Sequence, residues 1–156
     1  MEKLLEKQTL MMSTLGEGQM PAISYAPFVK IEDKVYIYIS KAANHYHNLL
    51  NNPHVAIMMI EDEAEAKVQF ARCRLSFNCI ATKLDVVNEK AWTMFNERFD
   101  EKMMVSLSNL DFDMFELQIK DGRLVKGFGQ AFDITIHEGK MKLEQVTGMG
   151  HGENKK

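Results

Sequence analysis

Apolar residues recur along this chain mostly at intervals of two, the period of a strand with one face in a core. Residues 9–15 predict a first strand, closed by a Gly16-Glu17-Gly18 turn, and residues 21–25 a second, limited by Pro27. Residues 34–40 differ. Val35, Ile37 and Ile39 share one face, and Tyr36 and Tyr38 make the other face apolar too. Such a strand is covered on both sides, as when one barrel face points inward and the other lies under a helix or a partner subunit. Residues 54–60 have the same doubly apolar character, and further strands are predicted over 70–81, 112–120, 123–125 and 128–137.

The period lengthens in a few places. Residues 41–51 predict a helix with Ser40 near its N-cap and a stop at Asn52-Pro53. Residues 88–99 predict another, with Ala91, Trp92, Phe95 and Phe99 on one face, and 102–107 continue helically. A short N-terminal helix turns Leu4 and Leu5 toward the body. Many short strands with a few helical insertions predict a small β-barrel with helices, α+β and mainly β. One domain is expected over residues 1–137, followed by a flexible tail over 138–156.

Composition narrows the classes. The chain has 156 residues, of which 46% are hydrophobic and 26% charged, ordinary values for one soluble domain. A net charge of −3 gives no reason to expect a nucleic-acid partner. The start carries Glu2 and Glu6 without the apolar centre of a secretion signal, and the apolar run 55–60 is too short to span a bilayer. A cytoplasmic protein without membrane or nucleic-acid partners is expected. Cys73 and Cys79 are six residues apart, about 20 Å along a straight strand, too far for a disulfide, and both are expected as buried thiols. The 12 methionines read as soft core filler that also suits an irregular apolar ligand.

Several residues could carry chemistry. A strand over 70–81 places Phe70, Arg72, Arg74, Ser76 and Asn78 on one face. Two arginines there form a cationic site for phosphate or carboxylate, unless they pair with Glu61, Asp62, Glu63 or Glu65. Asp113 shares its parity with Phe115, Leu117 and Ile119, so a carboxylate lies on an apolar face. Either it is solvated at the strand end or capping a turn with Asn109, or it orients a ligand histidine by accepting its second ring N–H. His45 and His47 are two apart on a helix and cannot share a face. His151 stands between Gly150 and Gly152 in the tail, either solvated or free to ligate a metal or haem iron. There is no dinucleotide fingerprint, P-loop, HExxH or serine elbow.

The segments Leu10-Met11-Met12-Ser13-Thr14-Leu15, Ile23-Ser24-Tyr25-Ala26-Pro27-Phe28-Val29 and Tyr36-Ile37-Tyr38-Ile39-Ser40 are followed in order by His45 and Asn48-Leu49-Leu50. Glu61-Asp62-Glu63-Ala64-Glu65-Ala66, Phe70-Ala71-Arg72-Cys73-Arg74-Leu75 and Gly127-Phe128-Gly129-Gln130-Ala131 come next. Together they resemble the HugZ/HutZ haem-utilisation family, within the pyridoxamine-phosphate-oxidase-like superfamily. The resemblance implies an FMN-binding type of split barrel that forms a homodimer, with haem at or near the subunit interface. It implies His151 as axial ligand of the haem iron, Arg74 or Arg72 near the haem, and Asp113 bonded to the axial histidine. Thr9 and His45 fall near the site by the same resemblance. The implied activity is a non-classical haem oxygenase that uses O₂ and an electron donor to degrade haem and release iron. An FMN-dependent oxidoreductase, its phosphate on the same arginines, and a non-catalytic haem carrier or storage protein are the alternatives. One departure is the tail: some family members carry several histidines there, and this chain has His151 alone.

Overall fold

The computed structural model of the chain describes residues 1–147. His151 lies outside the described residues.

The described residues form eight strands and four short helices in the order α1 (Glu2–Leu5), β1 (Thr9–Leu15), β2 (Pro21–Ile31), β3 (Lys34–Ser40), α2 (Asn44–Asn51), β4 (His54–Ile60), β5 (Arg74–Lys83), α3 (Glu89–Phe99), α4 (Glu101–Ser108), β6 (Phe112–Val125), β7 (Ala131–His137) and β8 (Lys140–Gln145). The antiparallel order is β3-β2-β1-β4-β5-β6-β7-β8, and β3 also pairs with β6. That pairing closes β1–β6 into a barrel, and β7 and β8 extend the sheet beyond it. Closure removes the edges that an open six-stranded sheet would expose.

Two strands serve two neighbours in turn. In β2, residues 21–27 pair with β1 and residues 28–31 with β3. Pro27 stands at the handover, where a missing N–H costs little, so the strand passes through it instead of ending. In β6, residues 112–118 pair with β3 and residues 121–125 with β7, while β5 runs along the other side. The break expected at Asp121-Gly122 is instead a continuous strand with a register shift opposite Asn78 and Cys79. A Cβ on Gly122 would fall 2.3 Å from the Ser76 carbonyl oxygen and 2.7 Å from the Phe77 ring. The glycine is there for the close approach of β5, not for a turn.

The doubly apolar β3 has the expected cause. Val35, Ile37 and Ile39 fill the barrel with Phe28, Ile57, Phe77, Phe115 and Leu117. Tyr36 and Tyr38 lie in a second core beneath α3 and α4, against Ala91, Phe95 and Met104. Asn88 caps α3 by accepting the Ala91 N–H at 2.9 Å. The first predicted helix starts late. Residues 41–43 form a turn, with the Ala43 N–H on the Ser40 carbonyl at 3.1 Å, and α2 begins at Asn44. Tyr46 and Leu49 from α2 then plug one end of the barrel.

Three further expectations are corrected. The strand over 70–81 starts only at Arg74, because residues 69–71 coil into a 3-10 turn. Cys79 is buried, but Cys73 is only half-buried beside that turn. Burial, and then the charge of Asp121, push the Cys79 thiol up to about 12. Finally, β8 occupies part of the stretch assigned to the tail, pairing with β7 from Lys140 to Gln145. Among the described residues, no helix is long and apolar enough to cross a membrane.

Candidate functional site

The candidate residues fall at the two ends of the barrel. At the end plugged by α2, Asp113 pairs with Ile39 of β3, and its parity points it inward with Phe115 and Leu117. Its Oδ2 accepts the Tyr46 hydroxyl and stands 3.9 Å from the Lys41 ammonium. Among the described residues no donor meets Oδ1. Burial, then the hydrogen bond to Asp113, push the Tyr46 phenol up to about 12, so it remains a donor at any ordinary pH. His45, adjacent on α2, is half-buried, and burial holds its imidazole below the usual range and therefore neutral at pH 7. His47 turns the other way, with Nε2 2.6 Å from the Lys41 carbonyl.

Arg74 opens β5 at the opposite end. Lys83, at the other end of this ten-residue strand and about 30 Å of contour away, pairs with Phe115 near Asp113. Leu75, Phe77 and Cys79 point into the barrel, so Arg74 and Ser76 face outward. Arg74 pairs with Ile60 of β4. Thr9 of β1 lies in the same transverse row, two residues along from the Met11–Met58 pair. A cleft of ≈ 370 Å³ covers this region, lined by Thr9, Met11, Tyr25, Met58, Ile60 and Asp62 among others.

Arg72 and Arg74 do not share a strand face. Arg72 precedes β5 and forks onto the Glu61 carbonyl, through Nε at 3.1 Å and Nη2 at 2.6 Å. Arg74 makes one weaker bond, Nη1 to the Arg72 carbonyl at 3.3 Å. Of the two guanidiniums, Arg74 keeps more donors for an anion.

The outer face of β2, β1, β4 and β5 mixes apolar and small polar residues and is uncovered among the described residues. Registers align Tyr25, Met11, Met58 and Ser76 in one row and Ile23, Ser13, Ala56 and Asn78 in the next. Ile23 is 81% exposed and Tyr25 65%. This is the side of β4 whose apolar residues predict a cover, and within one protomer the cover is absent among the described residues. A larger cavity of ≈ 990 Å³ lies beside α1, lined by charged residues such as Lys3, Lys7, Glu6 and Glu61 and by apolar ones such as Met1, Leu4, Leu124 and Leu143.

Two residues at these sites escape sequence reading. Tyr46, the partner of Asp113, looks like any apolar residue of an amphipathic helix. Glu61 looks like part of a solvated acidic turn, yet its carboxylate accepts the Cys73 N–H at 2.7 Å. No cluster of three metal-ligating side chains occurs among the described residues.

Comparison with known proteins agrees with this architecture. The family model for pyridoxamine 5'-phosphate oxidase matches residues 1–126. A Vibrio cholerae protein named heme oxygenase HutZ is 43% identical over 134 residues, covering 83% of this chain and 76% of the relative. The crystal structure of Vibrio cholerae HutZ, there described as a heme storage protein, superimposes with a TM-score of 0.74, covering 82% of this chain and 92% of that one. Campylobacter jejuni ChuZ, 32% identical, gives 0.82 and covers 97% of this chain, which spans only 62% of ChuZ. The chain belongs to the HugZ/HutZ haem-utilisation family of the pyridoxamine 5'-phosphate oxidase-like split barrels.

Proposed function

We propose that this protein binds haem in a cleft shared by two protomers and degrades it oxidatively, releasing iron. The observation that carries the reading is Asp113. A carboxylate held by Tyr46 at the barrel end, with Oδ1 unmet among the described residues, is a ready acceptor for an imidazole N–H. The relative named heme oxygenase supports haem as the substrate.

The chain's path supports a shared site. The Val146 N–H bonds to the Ala131 carbonyl at 2.8 Å, and Ala131 pairs with Val125, which pairs with Arg74. The backbone thus leaves the sheet at the Arg74 end. His151 follows five residues later, within about 17 Å of chain. Its own Asp113 is twelve residues back along β6 from Val125, about 40 Å of strand, and about 28 Å even if the strand bends through a right angle. A two-fold axis running across the strands of the paired outer faces would instead bring the Arg74 end of one protomer to the Asp113 end of its partner. The homodimer then completes the site and covers the exposed Ile23 and Tyr25.

Each residue has a stated task. His151 would ligate the iron, and the partner subunit's Asp113 would hold its second ring nitrogen and raise its basicity. Arg74 takes a propionate carboxylate, with Thr9 beside it and Arg72 behind it. His45, neutral at pH 7, lines the Asp113 side. Haem, when bound, would supply the iron for O₂ chemistry and the macrocycle to be degraded, with electrons from an external donor.

Ascorbate added in air to the hemin-loaded protein tests the reaction. Loss of the Soret band with iron released to a chelator is expected, and Asp113→Ala is expected to keep haem while altering the rate. A haem complex that survives ascorbate and oxygen would make this a carrier or storage protein, the description given to the HutZ crystal structure. Flavin absorbance as isolated, without a haem site, would favour an FMN enzyme.

A further inference from the structure

The segment from Glu61 to Arg74 is closed at its neck by a chain of hydrogen bonds. The Glu61 N–H donates to the Cys73 carbonyl at 2.9 Å, which extends the β4–β5 ladder one step beyond the Ile60–Arg74 pair. The Glu61 side chain returns to accept the Cys73 N–H at 2.7 Å. Arg72 then forks onto the Glu61 carbonyl at 3.1 and 2.6 Å, and the Arg72 carbonyl accepts from Arg74 Nη1 at 3.3 Å. Arg72 therefore directs its charge at a neutral carbonyl, although the acidic run Asp62, Glu63 and Glu65 lies within the same loop.

That arrangement has a consequence for the second arginine. An arginine side chain free in solvent loses rotamer freedom when it grips an anion, and a guanidinium already held by one bond loses less. We propose that Glu61 and Arg72 are positioning residues, fixing the Arg72 carbonyl so that it aims the Arg74 guanidinium, and that Arg74 alone grips the anionic group of the ligand. This rests on the haem reading for the identity of that ligand. It divides the work of the two arginines, which the sequence leaves undivided.

Hemin titration followed at the Soret band tests it in Arg74→Ala, Arg72→Ala, Arg72→Lys and the double variant Arg72→Ala/Arg74→Ala. Arg74→Ala is expected to weaken binding about tenfold, the scale of one charge-assisted contact. Arg72→Ala and Arg72→Lys should weaken it alike, by roughly three- to fivefold, because lysine's point charge cannot bridge the carbonyl in two places. In the Arg74→Ala background, Arg72→Ala should cost nothing more. Affinity retained in Arg72→Lys, or losses that multiply in the double variant, would overturn the proposal and make Arg72 a ligand contact. A wild-type protein with no saturable band would instead refute the haem reading. Side-chain NMR of the Arg74 guanidinium then decides the positioning claim without ligand. Restricted rotation in wild type that is lost in Arg72→Lys supports it, and free rotation in both overturns it.

Discussion

Replacing Tyr46 by Phe removes one oxygen and little else. The ring is 3% exposed and packs edge-on against Phe115 with centroids 5.2 Å apart, contacts that phenylalanine keeps. Asp113 is left with Lys41 at 3.9 Å, a pair whose side chains are 57% and 26% exposed and which therefore compensates weakly. A hydrogen bond to an ionised acceptor is worth about 1.5–3 kcal/mol, and the partial hydration of Asp113 favours the low end, about 1.5 kcal/mol. In a domain of this size that lowers Tm by about 3–6 °C. The pH dependence has a definite sign. The phenol is raised from its ordinary 10 to about 12, so its contribution is complete below pH 10 and is lost as pH climbs toward 12. Tyr46→Phe should flatten that alkaline loss without abolishing it, since Tyr36 is also pushed up to about 12, by burial and then by its bond to Glu116. Thermal unfolding of wild type, Tyr46→Phe, Asp113→Asn and the double variant, at pH 7 and across the alkaline range, measures both effects. A Tyr46→Phe midpoint within about 1 °C of wild type at pH 7, or strict additivity with Asp113→Asn, would refute the reasoning.

Gly122→Ala should destabilise by about 3 kcal/mol, since the new Cβ meets the Ser76 backbone oxygen at 2.3 Å; denaturant unfolding with an unchanged midpoint contradicts this. Burial lowers the His45 pKa, so the neutral imidazole's contribution is present above about pH 6.5 and is lost as pH falls below it. His45→Gln should reduce the stability difference between pH 7.5 and 5.5 in urea unfolding, and an identical difference would exclude His45 as its source. Met58→Glu puts a charge in the row Tyr25, Met11, Met58, Ser76, and sedimentation should find it monomeric with weakened hemin binding. A variant that remains dimeric, or a wild type that is monomeric, counts against the shared cleft.

Where an apolar-rich run of β-forming residues stands between turn residues, the strands are legible to the residue, as in Thr9–Leu15, Lys34–Ser40 and His54–Ile60. The double apolarity of β3 called for a cover, by a helix or by a partner subunit, and α3 and α4 supply it. Sequence failed where a non-local contact set the local conformation. Asp121-Gly122 carries a turn composition, yet the glycine answers to the approach of β5. Phe70 continues the alternation of β5 but stands 91% exposed, because residues 69–71 coil into a 3-10 turn before the strand begins. In β8 most side chains are exposed, so the strand lacks the apolar period by which strands are recognised. The odd parity of Asp113 was visible in the sequence. Its partner Tyr46 was not, since nothing local distinguishes a tyrosine that serves a carboxylate 67 positions away from one that only fills a core.

The most direct test of the shared haem site is a hemin titration of wild type beside His151→Ala, read in the visible spectrum. A saturable Soret band at about one haem per subunit is expected, as is its loss in the variant. No saturable band in wild type, or the same iron spectrum in His151→Ala, would contradict it.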